Sequence, residues 1–277
     1  MKKRNLKFIA LGLSAMLGAV ALTGCGSSSS SKSETVSTNG STSMEEVMGA
    51  LSEQYQKDNS GVTVTYDPTG SGTGIEEVKN GNTDIGLSSR ALKDDEKDGL
   101  EQKVIALDGI SVIVNAKNGV KDLTTQQVAD IFSGKITNWS QVGGKDGKIS
   151  CIGRESGSGT RDGFESATGT EDKCKLEQEL TSTGAVISAV GSNENAIGYA
   201  SFSAVEGQKD IQGIKVNGVS CNEDTIKDGS YKLQRPFCFI TSKDNKLSDE
   251  AQKFYDFATS KDAADLIRNA GAVPVNE

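Results

Sequence analysis

The residues with the clearest chemistry form one run, Gly153-Arg154-Glu155-Ser156-Gly157-Ser158-Gly159-Thr160-Arg161. A short apolar segment, Ile149 to Ile152, leads into it, and a segment with Phe164 and Ala167 at helical spacing leads out. Strand, Gly/Ser loop and helix start is the geometry in which free backbone N–H groups converge on an anion. Glycines let the backbone approach closely, Ser158 and Thr160 offer hydroxyl donors, and Arg154 and Arg161 offer planar cationic forks. The run is therefore a candidate cradle for a tetrahedral oxyanion. It is not a Walker loop, because no Lys-Ser/Thr pair closes it. Taken alone it reads equally well as a solvated surface turn, so its meaning depends on whether the same chemistry recurs.

It recurs twice upstream. Gly40-Ser41-Thr42-Ser43 precedes Met44, Val47, Met48, Leu51 and Tyr55, whose spacing predicts an amphipathic helix, with Ser43 and Glu46 placed as a capping box. Val62 to Tyr66 alternates like a strand and runs into Thr69-Gly70-Ser71-Gly72-Thr73-Gly74, followed by a helical pattern from Ile75 to Lys79. Asp84-Ile85-Gly86-Leu87 is a short strand ending in Ser88-Ser89-Arg90, and the apolar run within Leu107 to Asn115 predicts a buried strand. Thr124 and Gln127 again match a capping box, ahead of an apolar face of Val128, Ile131 and Phe132. Further on, Gly184 to Val190 reads as a helix, Ala196 to Tyr199 and Ile211 to Val216 as strands, and Gly218 to Gly229 as a polar loop. Arg235 to Ile240 reads as a strand, two helical patterns around Phe254 and Leu266 finish the chain, and Trp139 reads as packing. Short strands alternating with helices predict an α/β fold, with ligand where carboxyl ends of strands meet helix starts.

Composition narrows the function. The 277 residues are enough for one or two domains, and the formal charge of −8 with no basic run disfavours nucleic acid. There is no His, which removes the commonest general base and the commonest transition-metal ligand. Nothing calls for a catalytic residue, a metal or a cofactor.

The N-terminus reads as a targeting segment over residues 1–24. Lys2, Lys3, Arg4 and Lys7 precede an apolar stretch from Phe8 to Leu22, too short for a comfortable membrane span. It ends Leu22-Thr23-Gly24-Cys25, which resembles the bacterial lipoprotein box, with Cys25 as the lipidated residue. Removing residues 1–24 takes away those four basic residues and no acidic ones, so −8 becomes −12. The Ser-rich stretch Gly26 to Asn39 reads as a flexible tether, with the folded part beginning near residue 36. Cys151, Cys174, Cys221 and Cys238 are an even four in an exported chain, so disulfides and buried free thiols both remain open.

Six motifs in order resemble the PstS-type phosphate-binding proteins of the high-affinity phosphate ABC importer. They are Gly40-Ser41-Thr42-Ser43, Thr69 to Gly74, Asp84 to Arg90, Gly134-Lys135-Ile136-Thr137-Asn138-Trp139, Arg154 to Arg161, and Asn195-Ala196-Ile197-Gly198-Tyr199. The resemblance runs from about Thr38 to the C-terminus. It implies a two-lobed, periplasmic-binding-protein-like flytrap fold, with residues 36–114 and 237–277 in one lobe, 115–236 in the other, and ligand in the cleft.

By position the resemblance assigns phosphate binding to Thr42, Ser43, Ser71, Arg154, Ser158, Gly159 and Thr160, with Ser41, Gly72, Arg90 and Arg161 in supporting places. Ser89 stands where many members carry an acidic residue that accepts the phosphate proton; its Oγ can accept or donate. Asp84, Asp67 and Glu155 are weaker acceptor candidates, and Asp84 reads more simply as a strand-end structural carboxylate. The implied protein is not an enzyme. Its implied partners are phosphate, the importer's permease and ATPase subunits, and the cell membrane through lipid on Cys25, facing outward. Other readings are a binder of sulfate, molybdate or a phosphonate, a secreted phosphoester enzyme, and an adhesin or sensor on the same fold.

Overall fold

The computed structural model describes residues 34–276. The targeting segment, Cys25 and the tether up to residue 33 lie outside the described residues.

The chain enters the fold as a strand, β1 (Glu34–Gly40), with Val36, Thr38 and Gly40 turned inward. It pairs in parallel with β2 (Val62–Asp67) on one edge and β3 (Ile85–Ser88) on the other. Residues 34–39 of the expected tether are therefore strand. A polar sequence with a single Val makes a weak strand signal, and pairing on both edges decides the outcome.

Between these strands, α1 (Glu45–Asp58) buries its predicted stripe, with Met44, Val47, Met48 and Leu51 fully enclosed and Tyr55 nearly so. The expected Ser43 cap does not form. Thr42–Met44 makes a 3-10 turn capped by Ser41, whose Oγ accepts from Ser43 N, and Met44 heads α1 without a side-chain bond. α2 (Ser71–Lys79) begins four residues ahead of the predicted Ile75, so the Ser-Gly-Thr-Gly stretch is its first turn. Glycine suits that turn despite its low helix propensity, because a Cβ on Gly74 would lie 2.7 Å from Gly40 Cα.

The longest strand, β4 (Leu100–Asn115), organises the rest. Its first part pairs with β11 (Gln234–Ser242), from Leu100 to Gly109. From Ile110 to Val114 it pairs instead with β8 (Ala196–Ser201). The full path is β2-β1-β3-β11-β4-β8-β6-β7, with β6 (Ser150–Arg154), β7 (Gln178–Leu180) and β8 parallel, and with β9 (Ile211–Gly213) and β12 (Val273–Pro274) added along β4. A separate pair joins β5 (Asp122–Leu123) to β10 (Lys215–Val216). The strand expected over 211–216 is thus two strands with different partners.

Helices cover both faces of each half of the sheet, as parallel strands require. On one half these are α1, α2, α8 (Asp249–Ala258) and α9 (Ala264–Asn269). On the other they include α3 (Thr125–Phe132), α4 (Gly159–Thr168) and α5 (Thr183–Gly191), with the short α6 (Phe202–Val205) and α7 (Glu223–Lys227). The Thr124–Gln127 capping box forms in both directions, at 3.1 and 2.8 Å. The expected loop at 218–229 contains α7, nucleated by an Asn222 cap and anchored by the buried Ile226. Trp139 is buried, its Nε1 donating to Asn195 O at 3.0 Å. Cys151, Cys174, Cys221 and Cys238 are free thiols.

The apolar clusters divide along the same line as the strand pairing. Val36 to Ala106 and Phe237 to Ala272 supply one set of buried residues, Ile110 to Leu233 the other. Among the described residues, β4 alone pairs with strands of both halves of the main sheet, while the chain crosses between the two sets along β4 and again at the start of β11.

Candidate anion-binding site

Helix starts meet where parallel strands end. β1 leads into the Thr42–Met44 turn and α1, β2 into α2, β6 into α4 and β7 into α5, while β3 ends at Ser88 beside Ser89. Each helix start presents N–H groups without intrahelical partners and a partial positive charge.

Their hydroxyls gather in two adjoining groups. In the first, Ser43 Oγ lies 2.7 Å from Thr160 Oγ1 and 3.1 Å from Thr183 Oγ1. Thr42 Oγ1 lies 3.1 Å from Thr183 Oγ1 and accepts from Arg154 Nη1 at 2.8 Å. In the second, Ser71 Oγ lies 3.2 Å from Ser89 Oγ and accepts from Ser89 N at 3.1 Å. Gly159 joins the two: it precedes Thr160, and a Cβ built on it would clash with Ser71 Oγ and lie 2.7 Å from Ser89 Oγ. All of these hydroxyl residues are buried. Such a cluster, whose hydroxyl protons can turn to donate, is suited to replacing the water around an oxyanion.

Arg154 is the cation of the cluster, 1% exposed. Its Nη2 pairs with Glu155 Oε1 at 2.8 Å and donates to Thr181 O at 3.1 Å, and its Nε donates to Leu180 O at 3.1 Å. Every edge of the fork is thus held, with Nη1 turned to the hydroxyls. Glu155 therefore acts as the brace of Arg154. From below, Tyr199 Oη accepts from Arg154 N at 3.1 Å while its ring stacks on Phe164 at 4.1 Å. Burial raises the Tyr199 phenol, opposed by the bond from Arg154 N. Tyr66 Oη donates to Ser41 O at 2.8 Å, fixing the first turn.

The predicted residues thus divide. Thr42, Ser43, Thr160 and Arg154 are brought together, as are Ser71, Ser89 and Gly159. Ser158 is buried at the head of α4, where its Oγ accepts from Arg161 N at 3.4 Å as a helix cap. Gly72 donates its N–H to Gly157 O at 3.0 Å, and Ser41 donates its own to Leu87 O at 2.8 Å, so both hold loops together. Two arginines point elsewhere. Arg90 is bonded to Glu96 through both terminal nitrogens, at 2.6 and 2.7 Å, and Arg161 pairs with Glu165 at 2.8 Å and Glu179 at 3.2 Å. Asp84 accepts from Ser37 N and Ser37 Oγ at 2.8 and 2.6 Å, the strand-end structural role expected of it. The exposed Asp67 accepts from Asn39 Nδ2 at 3.3 Å. Thr183 was not anticipated. Its signal is present, since Thr181-Ser182-Thr183-Gly184 ahead of an apolar helix repeats the hydroxyl-and-glycine pattern of the other loops. Among the described residues, no cluster of side chains stands ready to hold a metal.

Known proteins carry the same plan. The PBP superfamily domain matches residues 26–262. The phosphate-binding protein PstS of Staphylococcus saprophyticus is 34% identical, across 92% of this chain and 86% of that one. The chain belongs to the PstS family of phosphate-binding proteins. Two solved structures extend the PstS likeness. A putative phosphate ABC transporter substrate-binding protein from Clostridium perfringens, with bound phosphate, superposes with a TM-score of 0.83 at 37% identity, over 88% of this chain and all of that one. An ABC-type phosphate transport receptor from Vibrio cholerae superposes at 0.70 and 33% identity, over 86% and 99%. The α/β, periplasmic-binding-protein-like fold expected from the PstS motifs is the fold observed.

Proposed function

We propose that this chain binds inorganic phosphate with high affinity outside the cell and hands it to the permease of an ABC importer, driven by that importer's ATPase subunits. One observation carries the reading: hydroxyls from separate helix starts converge on a single braced, buried guanidinium. The C. perfringens protein with bound phosphate supports it. Residues 36–109 with 237–277 form one lobe and 110–236 the other, a boundary on β4 five residues ahead of the expected 114, with β4 and β11 as the hinge. The packing favours Gly109 as the point where β4 changes lobe.

Within this reading Arg154 Nη1, the hydroxyls of Thr42, Ser43, Ser71, Thr160 and Thr183, and the N–H groups of Gly159 and Thr160 bind phosphate oxygens, while Ser158 shapes the loop by donating its N–H to Glu155 O. Ser89 Oγ accepts a hydrogen bond from the P–OH group of the monohydrogen form. About eight bonds of roughly 1.5–3 kcal/mol each, less desolvation and ordering, are enough for micromolar binding or better. The paired Glu155 leaves the Arg154 site close to neutral, so local dipoles rather than a long-range field hold the anion. Lipid on Cys25 anchors the protein on the outer face of the membrane through the tether.

Titration calorimetry with phosphate, sulfate and molybdate at several pH values tests the ligand. Tighter binding of sulfate or molybdate than of phosphate would transfer the site to another oxyanion. Hydrolysis of a chromogenic phosphate ester would overturn the binding-only reading. Loss of a mass corresponding to lipid in Cys25→Ser tests the anchor.

A further inference from the structure

Arg90 and Asp162 sit immediately beyond the two hydroxyl groups of the site. Arg90 follows Ser89, and Asp162 lies in the first turn of α4, two residues after Thr160. They come from opposite sides of the division in the core: Leu92 and Leu100 pack with one set of apolar residues, Phe164 of α4 with the other. Yet Arg90 Nε lies 2.8 Å from Asp162 Oδ2, and Lys93 Nζ lies 3.0 Å from the same oxygen. The Arg90 side chain is 9% exposed and Asp162 27%. Glu96 holds the other edge of Arg90 through two bonds, and Lys93 N donates to Glu96 at 2.9 Å, so the guanidinium is aimed before Asp162 arrives. Burial works against the Arg90 charge, and Glu96 and Asp162 outweigh it. The Nε–H is not aligned on Asp162 Oδ2, which makes the contact an ion pair without a hydrogen bond.

We propose that the Arg90–Asp162 pair, seconded by Lys93, is a latch that slows release of the bound anion by holding the two binding loops together. The inference rests on the phosphate reading and adds a role for charges that do not touch the ligand. An anion held between Ser89 and Gly159 draws their loops together, and this brings Asp162 up to Arg90. The two charges then attract across a partly dry gap. When the loops part, a cleft of about 650 Å³ beside the pair admits water to both groups, so opening leaves neither charge stranded. A contact made only with the loops together stabilises that state alone. It lengthens residence and leaves the encounter step unchanged. The four charges, Arg90 and Lys93 against Glu96 and Asp162, balance, so the latch adds no attraction for a distant anion.

The test follows uptake and release of radiolabelled inorganic phosphate, the release chased with excess unlabelled phosphate, for the wild-type chain, Asp162→Asn, Arg90→Gln and the double variant. Asp162→Asn is expected to speed release about tenfold with an uptake rate within about twofold of wild type. Arg90→Gln is expected to do the same, the double variant to release no faster than the faster single one, and Arg90→Lys to release more slowly than Arg90→Gln. Phosphate-free melting separates the latch from simple scaffolding, because Asp162→Asn should melt within about 2 °C of wild type. Release at the wild-type rate in Asp162→Asn, or single effects that multiply in the double variant, overturns the latch while leaving phosphate binding intact. A wild-type chain that takes up no phosphate overturns both.

Discussion

Gly159→Ala is the sharpest test of the site. In the structure the added methyl would clash with Ser71 Oγ and lie 2.7 Å from Ser89 Oγ and 3.0 Å from Ser71 Cβ. Ordinary contacts to a methyl begin near 3.4 Å, so the Ser71 hydroxyl must withdraw by about 1 Å and the Ser89 hydroxyl by about 0.7 Å, or the loops must part. Overpacking of this kind costs about 1–3 kcal/mol. Misplacing two hydroxyls that bind a charged ligand adds about 1.5 kcal/mol or more for each. The combined loss is about 4–6 kcal/mol, and its lower end is already about a thousandfold in Kd. The clash arises between parts packed on different core clusters, so the phosphate-free protein relieves it by separating the loops. Its melting temperature should change by only a few degrees, and an Ala at the first position of α4 is favourable for the helix. Titration calorimetry with inorganic phosphate, paired with melting curves in its absence, reads both quantities. An affinity within threefold of wild type would refute the placement of Gly159 between Ser71 and Ser89 and the site built upon it.

The other expectations are more local. Arg154→Gln should weaken phosphate binding at least a hundredfold by calorimetry, since it removes the only buried cation of the cluster and leaves Glu155 facing the anion. Thr183→Val, nearly isosteric, should weaken binding about tenfold without unfolding, because it deletes the hydroxyl shared by Thr42 and Ser43. Glu250 is held below the usual carboxylate range by the Tyr55 hydroxyl at 2.6 Å and then by Lys253. Its stabilising share is therefore present above about pH 4.3 and is lost as pH falls through the depressed value. Melting curves from pH 7 to 3 should show the gap between wild type and Tyr55→Phe narrowing at the acid end. Burial pushes Cys151 and Cys238 up to about 12 and Cys174 up to about 11, so at pH 8 alkylation of the folded protein should be slow. It should be fast for all four thiols in denaturant.

Periodicity carried much of the fold. The stripe from Met44 to Tyr55, the Thr124–Gln127 box and the apolar run ending at Asn115 declare their elements because each pattern is written within a few residues. The candidate site was legible for the same local reason: Gly, Ser and Thr at strand ends mark helix starts with free donors, and Arg154 stands among them. Where the reading failed, the deciding contact was distant in the chain. β1 is a strand because β2 and β3 flank it, and the leading half of β4, polar at Glu101 to Lys103, is one because β11 lies along it. α2 begins at Ser71 because its first turn presses on Gly40.

Composition could say that Arg90, Arg154 and Arg161 are cations near hydroxyls; it could not say which would face an anion. That choice depends on where Glu96, Glu155, Glu165 and Glu179 arrive after folding, and they take Arg90 and Arg161 away while leaving one edge of Arg154 turned inward. The sequence alone determined the chemistry on offer, namely donors, glycines and guanidinium groups at the ends of strands. Only the tertiary structure decided the address of each charge, because a salt bridge is fixed by the few ångströms between side chains and not by their separation along the chain.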